Sequence, residues 1–322
     1  MKHFNQNHHT TLAIIGNGFD LAHGYDTTYR SFVENTRSEV LDEFRQMCDD
    51  EGITTWYDFE NNIKELSLNL YQKAIMSDEA PEVYDAKIAH ANVVFKKLHG
   101  LLGDYLKAEA MKHPVCKLRS IRRFISRHTM LINFNYTSTP EVYSGDVFYV
   151  NGSLAEDNIL LGYDYRDEPC LIGMDFMYWS KKYRRELMAF QRHLKADASL
   201  SAERIANLSD NFEHYQDCAN APRGIDEEIR SEICDFELID SFVQNDAPHM
   251  IYPDIDCSKI KKLAVMGHGI EADREFLTSL LGSCTNLKKI ILYTYPGEPQ
   301  TSLAQKISFL QPFCKKLVVR KY

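Results

Sequence analysis

An apolar run leads straight into a glycine turn at residues 11–20, which read TLAIIGNGFD. The run at 11–15 is short and continuous, which is typical of a strand buried on both faces of a parallel sheet. Gly16 and Gly18 allow the backbone to turn sharply and to approach a ligand closely. A helix that follows such a turn points free N–H groups at a phosphate. The stretch therefore predicts a strand, a tight turn and a helix that form part of a nucleotide site.

The turn lacks two features of the common dinucleotide fingerprint. Leu21 stands where that fingerprint has its third glycine. The acidic residue expected on a second strand about 20 residues later is missing too, because that region has a helical pattern. These departures argue against an ordinary dehydrogenase. They leave open a simple strand-ending turn, in which Asp20 is only an acidic residue near a helix N-terminus.

Further apolar runs predict the rest of a sheet. They lie at residues 130–134, 147–150, 159–161, 263–266, 290–293 and 316–319. Helical patterns at 271–282 and 301–311 separate the last three runs. Strand–helix–strand alternation implies a parallel sheet with right-handed crossovers, so we expect an α/β fold with a Rossmann-like parallel sheet core.

Two helical blocks interrupt this core. Apolar residues recur at helical spacing over 59–70 and 84–105, and Pro81 precedes the second run, where a helix tolerates proline. A second, polar helical block covers about 174–243. We expect a nucleotide-binding-like core made of 10–30, 117–165 and 258–322, with helical insertions at 31–116 and 166–257 that form a cap.

The composition limits the class of function. A formal net charge of -9 disfavours non-specific nucleic-acid binding, which depends on neutralising phosphates. The eight cysteines form no C-x-x-C pair and no zinc-like spacing, so we expect reduced thiols and no metal. The chain has no signal-peptide pattern and no apolar stretch of about 20 residues. These features predict a cytoplasmic protein without a membrane span.

Two basic runs are predicted to be solvated helix faces. One extends from Lys117 to Arg127 and the other from Lys181 to Arg185. Aromatic stacking partners are not interleaved with either run, which argues against nucleic acid as a partner. Tyr178 and Trp179 beside the second run leave RNA contact open as an alternative.

A second polar cluster, Asn133 to Thr137, ends the 130–134 strand. Ligands collect at the carboxyl ends of strands in an open parallel sheet, so this cluster and the glycine turn should face one crevice. The amide of Asn135 offers an acceptor and two donors without charge, which suits a ribose hydroxyl or a catalytic water. The alternative is a strand-to-helix connection in which Asn or Thr caps the next helix.

Taken together, four motifs resemble the bacteriophage abortive-infection AbiH family. They are residues 14–24 with Thr28, Tyr29 and Phe32; Trp56 with 58–60; 133–137; and 267–269 with Asp273. The motifs follow the family's order and span nearly the whole chain. The resemblance implies a role in phage defence.

The family pattern is in turn similar to sirtuin-like NAD-binding proteins, several of which act in phage defence. These proteins carry a glycine-rich first turn, an asparagine after a core strand and a His-Gly pair after the next strand. The first turn corresponds to Gly16–Asp20 and the asparagine to Asn135, whereas the His-Gly pair corresponds to Asn151-Gly152. An amide does not titrate near neutral pH, so Asn151 cannot serve as a base.

Two other histidines are the nearest substitutes by sequence position. His23 follows the glycine turn, and His268 lies between two glycines at a strand end. Gly269 stands where the family more often has serine. A chain that lacks the family's histidine either uses another group or is inactive.

The resemblance implies one of two functions. As an enzyme, the chain would bind NAD or a related adenine nucleotide and hydrolyse the nicotinamide–ribose bond, with Asn135, Asp20 and His268 as catalytic residues. As a sensor, it would bind a nucleotide or ADP-ribose without turnover and act through a phage or host protein or through RNA. A homo-oligomer is compatible with both. Contacts to the nucleotide are expected from Gly16, Asn17, Gly18, Phe19, Asn133, Tyr136, Thr137, Asn151, Gly152 and Gly267.

Overall fold

A six-stranded parallel sheet is the centre of the fold. The computed structural model describes residues 9–54, 59–76, 81–112, 117–143, 145–156, 159, 161, 256–295 and 297–322. The strands are β1 (Thr11–Ile15), β2 (Thr129–Asn133), β3 (Asp146–Tyr149), β4 (Lys262–Met266), β5 (Lys289–Thr294) and β6 (Lys316–Lys321). Every neighbouring pair is parallel, and the order across the sheet is β3-β2-β1-β4-β5-β6. This order is that of the doubly wound Rossmann fold, and the parallel sheet confirms the Rossmann-like core that the sequence predicts.

Helices connect the strands and form a long segment between β1 and β2. They are α1 (Asn17–Ala22), α2 (Tyr29–Asn35), α3 (Glu39–Asp50), α4 (Phe59–Met76), α5 (Pro81–Met111), α6 (Arg119–Arg122), α7 (Arg274–Ser283) and α8 (Gln300–Leu310). The helical patterns at 59–70, 84–105, 271–282 and 301–311 are thereby confirmed. Helix α5 begins at Pro81, because the first helical position needs no N–H donor.

The central strands are buried on both faces, and the outer strands are not. Residues 12–15 of β1 and 129–133 of β2 are buried throughout, which explains why these segments are mostly apolar. In β6, Lys316, Arg320 and Lys321 are exposed. Charged residues on an edge strand discourage pairing with another chain.

The register places the ends of β1, β2 and β4 at one level. Ile15 is opposite Asn133 on one side and opposite Met266 on the other. Chain connections run from β1 toward β3 in one direction, whereas β4 to β6 extend in the other. The carboxyl ends of β1 and β4 therefore flank the topological switch point, where ligands bind in open α/β sheets.

The chain divides into two compact units. One contains Met1–Thr28, Gly103–Ile159 and Asp254–Tyr322, and the other contains Tyr29–Leu102 and Leu160–Pro253. The first unit holds the whole sheet. In the described part of the second, the Phe59 ring lies 5.6 Å from that of Phe32 and 5.3 Å from that of Phe44.

The predicted domain ranges agree with the sheet in one respect. All six strands fall within 10–30, 117–165 and 258–322. The assignment of 31–116 and 166–257 as insertions that form a cap stays a prediction, and nearly all of 166–257 lies outside the described residues.

One predicted strand is wrong. Ile159 and Leu161 are buried, but neither belongs to a strand. A short apolar run reports burial, and burial alone does not distinguish a strand from an irregular segment packed in a core.

Candidate functional site

The glycine turn after β1 packs directly on the turn after β4. The N–H of Gly16 donates to Met266 O, and that of Gly18 donates to Gly267 O, both at 3.0 Å. A Cβ atom on Gly16 would lie 2.6 Å from His268 Cα, and one on Gly18 would lie 2.8 Å from Gly267 Cα. The two glycines are thus required for contact between two backbones. The sequence showed the need for a tight turn, but it did not show the second turn that fills the space.

Gly267 is equally constrained from the opposite side. Its φ of +67° lies in the left-handed region, and a Cβ there would lie 2.2 Å from Phe19 N and 2.4 Å from Gly18 C. No other residue fits this position without displacing a backbone. Gly16, Gly18 and Gly267 therefore form one interlocked pair of turns at the switch point.

Asn135 ties the β2 cluster to this pair of turns. Its Nδ2 donates to Gly16 O at 3.0 Å, and its amide is close enough to Asp20 to lower the pKa of that carboxyl. Asn133 holds the loop itself, because its Nδ2 donates to the carbonyls of Asn135 and Thr137, both at 3.1 Å. The predicted cluster thus contains one residue that shapes the loop, Asn133, and one that joins the loop to the glycine turn, Asn135.

Asp20 is a fully buried carboxyl beside the same cluster. Its Oδ2 accepts from Thr137 Oγ1 at 2.7 Å, and Thr137 Oγ1 accepts in turn from Thr139 Oγ1 at 3.0 Å. The other oxygen, Oδ1, is buried without a hydrogen-bond partner. Burial raises the pKa of Asp20 to about 6, although the nearby side chains of Thr137, Thr139 and Asn135 lower it. Both protonation states of Asp20 are therefore accessible close to neutral pH.

His268 is a buried, oriented imidazole. Its Nδ1 accepts from the N–H of Ile270 at 3.0 Å, so the ring proton lies on Nε2, which is 3.2 Å from Asp273 Oδ2. The ring also packs on Phe134, with centroids 4.3 Å apart. Both nitrogens are occupied by protein groups, so His268 fixes the β4 turn in this arrangement.

Backbone strain occurs in the same turn. Ile270 has a φ of +76°, which a β-branched side chain rarely adopts. Such a conformation costs about 1–3 kcal/mol and persists where the surroundings hold it. The His268 bond to the Ile270 N–H is one such restraint. Nothing in the sequence indicated strain at this position.

His23 is also held by protein groups. Its Nδ1–H donates to Phe19 O at 2.6 Å, and its Nε2 accepts from Tyr143 Oη at 2.8 Å. The Tyr143 hydroxyl also accepts from the N–H of Leu118 at 2.8 Å. Burial lowers the pKa of His23, so the ring is neutral. It joins the end of α1 to the segment before α6.

Asn151 and Gly152, the positions of the family's His-Gly pair, lie beside the β2 cluster. The Nδ2 of Asn151 donates to Phe134 O at 3.0 Å, and Gly152 has a φ of +74°. Gly152 therefore bends the chain, which is one of the two interpretations of the sequence. Asn151 also supports the loop after β2.

The remaining predicted contact residues differ in their exposure. Asn17 is partly exposed and accepts a hydrogen bond from Thr27 Oγ1. Phe19 is fully buried in the core beneath the turn. Tyr136 is partly exposed, and its carbonyl accepts from Leu154 N–H at 2.8 Å.

One family model, described as bacteriophage abortive infection AbiH, matches residues 12–295. The chain belongs to the AbiH family. Membership supports a role in abortive infection. No curated protein and no solved structure matches the chain.

In this AbiH protein the motifs at 14–24, 133–137 and 267–273 meet at the carboxyl edge of the sheet. Trp56 and Asp58 lie outside the described residues. A Cβ at Gly269 would meet nothing within 4 Å, so the serine more common in the family would fit there. The similarity to sirtuin-like proteins stays a prediction.

The basic residues Lys117, Arg119, Arg122, Arg123 and Arg127 are all exposed, and the run at 181–185 lies outside the described residues. Within the described ranges, no group of three or more His, Cys, Asp or Glu side chains is placed to hold a metal ion. Nor does any helix in that part of the chain have the length and apolar character needed to cross a membrane.

Proposed function

We propose that this AbiH protein binds NAD or a related adenine nucleotide at the carboxyl edge of its sheet and hydrolyses the nicotinamide–ribose bond during abortive infection. The observation that carries the proposal is the pairing of Asp20 with Asn135 beside the switch point. Asp20 Oδ1 is buried without a hydrogen-bond partner, and the Asn135 amide, whose Nδ2 bonds Gly16 O, is close enough to lower the pKa of this carboxyl.

The chemistry needs groups of this kind. As the bond between C1′ of the ribose and the pyridinium nitrogen breaks, the electron pair leaves with nicotinamide and C1′ develops oxocarbenium character. Water then adds to C1′ and loses a proton, which gives ADP-ribose, nicotinamide and H⁺. A carboxylate near C1′ stabilises the developing positive charge, as the carboxylates of glycosidases do.

Asp20 and Asn135 would divide this work. Asp20 is largely ionised above its pKa of about 6 and would supply the negative charge. Asn135 Oδ1 would accept a hydrogen bond from a ribose hydroxyl or from the attacking water. The N–H of Gly18 is already bonded to Gly267, so the glycine turn would contribute close approach rather than that donor.

A non-catalytic sensor is the second candidate, and one observation favours it. Position 151 carries an amide bonded to Phe134 O, and both ring nitrogens of His268 bond protein groups. No imidazole is then free at this edge, among the described residues, to accept a proton from water. A nucleotide or ADP-ribose would bind here without turnover, and the signal would pass to a phage or host partner.

The test measures nicotinamide release from NAD by the purified protein, together with the Kd for NAD by calorimetry. Asp20→Asn preserves the shape of the carboxyl and removes its charge, and we expect it to lower kcat about 100-fold. Wild-type activity should rise as the pH passes through about 6, where Asp20 ionises. The residual activity of Asp20→Asn should not show this rise. Glu271→Gln, an exposed carboxyl, is the matched control and should match the wild type.

The outcomes separate the two candidates. Release that survives Asp20→Asn unchanged would contradict the role given to Asp20. Binding of NAD or ADP-ribose without any release would favour the sensor. Absence of both binding and release in the folded protein would remove the nucleotide proposal altogether.

A further inference from the structure

Two buried oxygen atoms on one side of the sheet have no hydrogen-bond partner. One is Oδ1 of Asp20, and the other is the hydroxyl of Tyr322, which follows β6. Buried polar atoms are nearly always satisfied by protein or by ordered water, so each exception needs an explanation. Tyr322 lies beyond the residues that the family model matches.

The two residues share one region of the core. Tyr322 packs against the apolar cluster that contains Phe19, the neighbour of Asp20 in α1, and Tyr293 of β5. The rings of Tyr322 and Tyr293 lie 5.7 Å apart, and the Tyr322 N–H donates to Thr294 O at 3.2 Å. The Tyr322 ring is therefore fixed by both its backbone and its stacking neighbour.

The electrostatics agree with this placement. Burial raises the pKa of Tyr322, and the charges of Glu298, Tyr293 and Asp20 raise it further. The negative charge of Asp20 thus acts on the phenol, although the two side chains do not bond each other. The phenol can donate or accept a hydrogen bond, and the carboxylate can only accept.

One O–H group between the two atoms would satisfy both. It would donate its proton to Asp20 Oδ1 and accept the proton of the Tyr322 hydroxyl. Tyr293 shows the contrast within the same cluster, because its hydroxyl already donates to Ser120 O at 3.3 Å. Of these two tyrosine hydroxyls, only that of Tyr322 has no hydrogen-bond partner, so only it can bond a further group.

We propose that Tyr322 is a positioning residue for Asp20, and that the Tyr322 hydroxyl and Asp20 Oδ1 hold a single O–H group between them. The group is either a resident water or a hydroxyl of the bound ligand. The water source is independent of the proposed function, whereas the ligand source rests on it. In both cases the residue that follows β6 contributes a functional side chain to the carboxyl edge.

Few other titratable groups face the pair among the described residues. Glu298 is 4% exposed and is paired with Lys306 at 2.7 Å, so its charge is balanced. Tyr293 has Arg320 beside it, which lowers the pKa that burial raises. On the side of α1, the neutral ring of His23 is bonded to Phe19 and Tyr143. His23 also titrates below neutral pH, so the test must isolate Asp20.

A double-mutant cycle isolates it. Unfolding by urea is followed between about pH 4.5 and 8.5 for the wild type, Tyr322→Phe, Asp20→Asn and the double variant. Loss of the bridging donor should destabilise the ionised carboxylate. Tyr322→Phe should therefore raise the midpoint pH of the Asp20-dependent change by about half a pH unit or more. In the presence of Asp20→Asn, the same substitution should leave the pH profile unchanged.

Tyr293→Phe is the matched control. It removes a hydroxyl from the same cluster, but that hydroxyl bonds Ser120 and not the proposed group. It should lower stability equally at all pH values and leave the midpoint where it is in the wild type. A midpoint shift in both tyrosine variants would show a general packing effect and would overturn the proposal.

The same cycle with saturating NAD or ADP-ribose distinguishes the sources. Coupling between Tyr322 and Asp20 in the free protein identifies a water, and coupling that develops only with ligand identifies a ligand hydroxyl. No coupling in either state overturns the proposal. If neither nucleotide binds, the proposed function fails by that result, and the cycle in the free protein alone decides on Tyr322.

Discussion

Replacing Asp20 by asparagine should stabilise the fold at about pH 8 and have little effect at about pH 5. The carboxyl is fully buried, and its pKa is raised from 3.8 to about 6. The folded state therefore binds this proton more tightly than the unfolded chain does. Stability falls as the pH rises between these two values and is lowest above them. The amide keeps an acceptor for Thr137 and carries no charge.

The magnitude follows from the difference between the two pKa values. A change from 3.8 to about 6 corresponds to about 3 kcal/mol, at about 1.36 kcal/mol for each pH unit. The buried amide N–H₂ finds no acceptor made for it, which costs about 1–2 kcal/mol. We therefore expect a net stabilisation of about 1–2 kcal/mol at about pH 8. Each kcal/mol should raise Tm by about 2–4 °C.

Urea unfolding at the two pH values measures the effect, with Glu271→Gln as the exposed control that should change little at either pH. The decisive quantity is the difference in the free energy of unfolding between about pH 8 and pH 5 for each protein. Equal changes at both pH values would refute the argument, because the charge of Asp20 would then be without cost. Coupled with loss of nicotinamide release, stabilisation would mark Asp20 as a residue kept for function.

Three further predictions concern the turns around this carboxyl. Gly267→Ala should lower the free energy of unfolding by at least about 3 kcal/mol in a urea titration, because a Cβ there meets the backbone of Gly18 and Phe19; a loss below about 1 kcal/mol would contradict the interlocked turns. His23→Ala should cost about 2–3 kcal/mol by the same measurement, since two buried hydrogen bonds are lost. The pKa of His23 is lowered in the folded state, so its neutral ring should contribute its full stability above pH 6.5 and lose that contribution as the pH falls below 6.5. A pH profile of stability in His23→Ala that matches the wild type would contradict this prediction. Gly269→Ser should leave Tm within about 2 °C in a thermal melt, because the added atoms meet open space; marked destabilisation would show that this turn is tighter than the structure has it.

Much of the fold could be predicted from the sequence because its central strands are buried on both faces. Five apolar runs after the first matched strands to within one or two residues. In the central strands, burial favours apolar residues along most of the segment. The run at 159–161 failed for the same reason, because burial without regular structure leaves the same signal. The strand order could not be read from the runs, since it depends on how β4 pairs with β1 across the interposed helices.

The sequence predicted which residues lie at the candidate site, but not which groups their side chains bond. The polar residues at strand ends were found because parallel strands bring their carboxyl ends to one edge. The partners of Asn133, Asn151 and His268 are mostly backbone groups, which carry no sequence signal. Tyr322 was missed entirely, because a lone tyrosine after an edge strand differs in no way from a surface residue until its hydroxyl is seen to be buried.

The interlocked glycine turns have a consequence for the order in which the fold assembles during synthesis. Gly16 and Gly267 meet in space but lie near opposite ends of the sequence, and β1 is paired with β4 along its whole length. Synthesis proceeds from the N-terminus at about 5–20 residues per second, so β1 waits for its partner until most of the chain has been made. Contacts of such high sequence separation also form slowly. A nascent chain that ends before β4 thus has no assembled carboxyl edge.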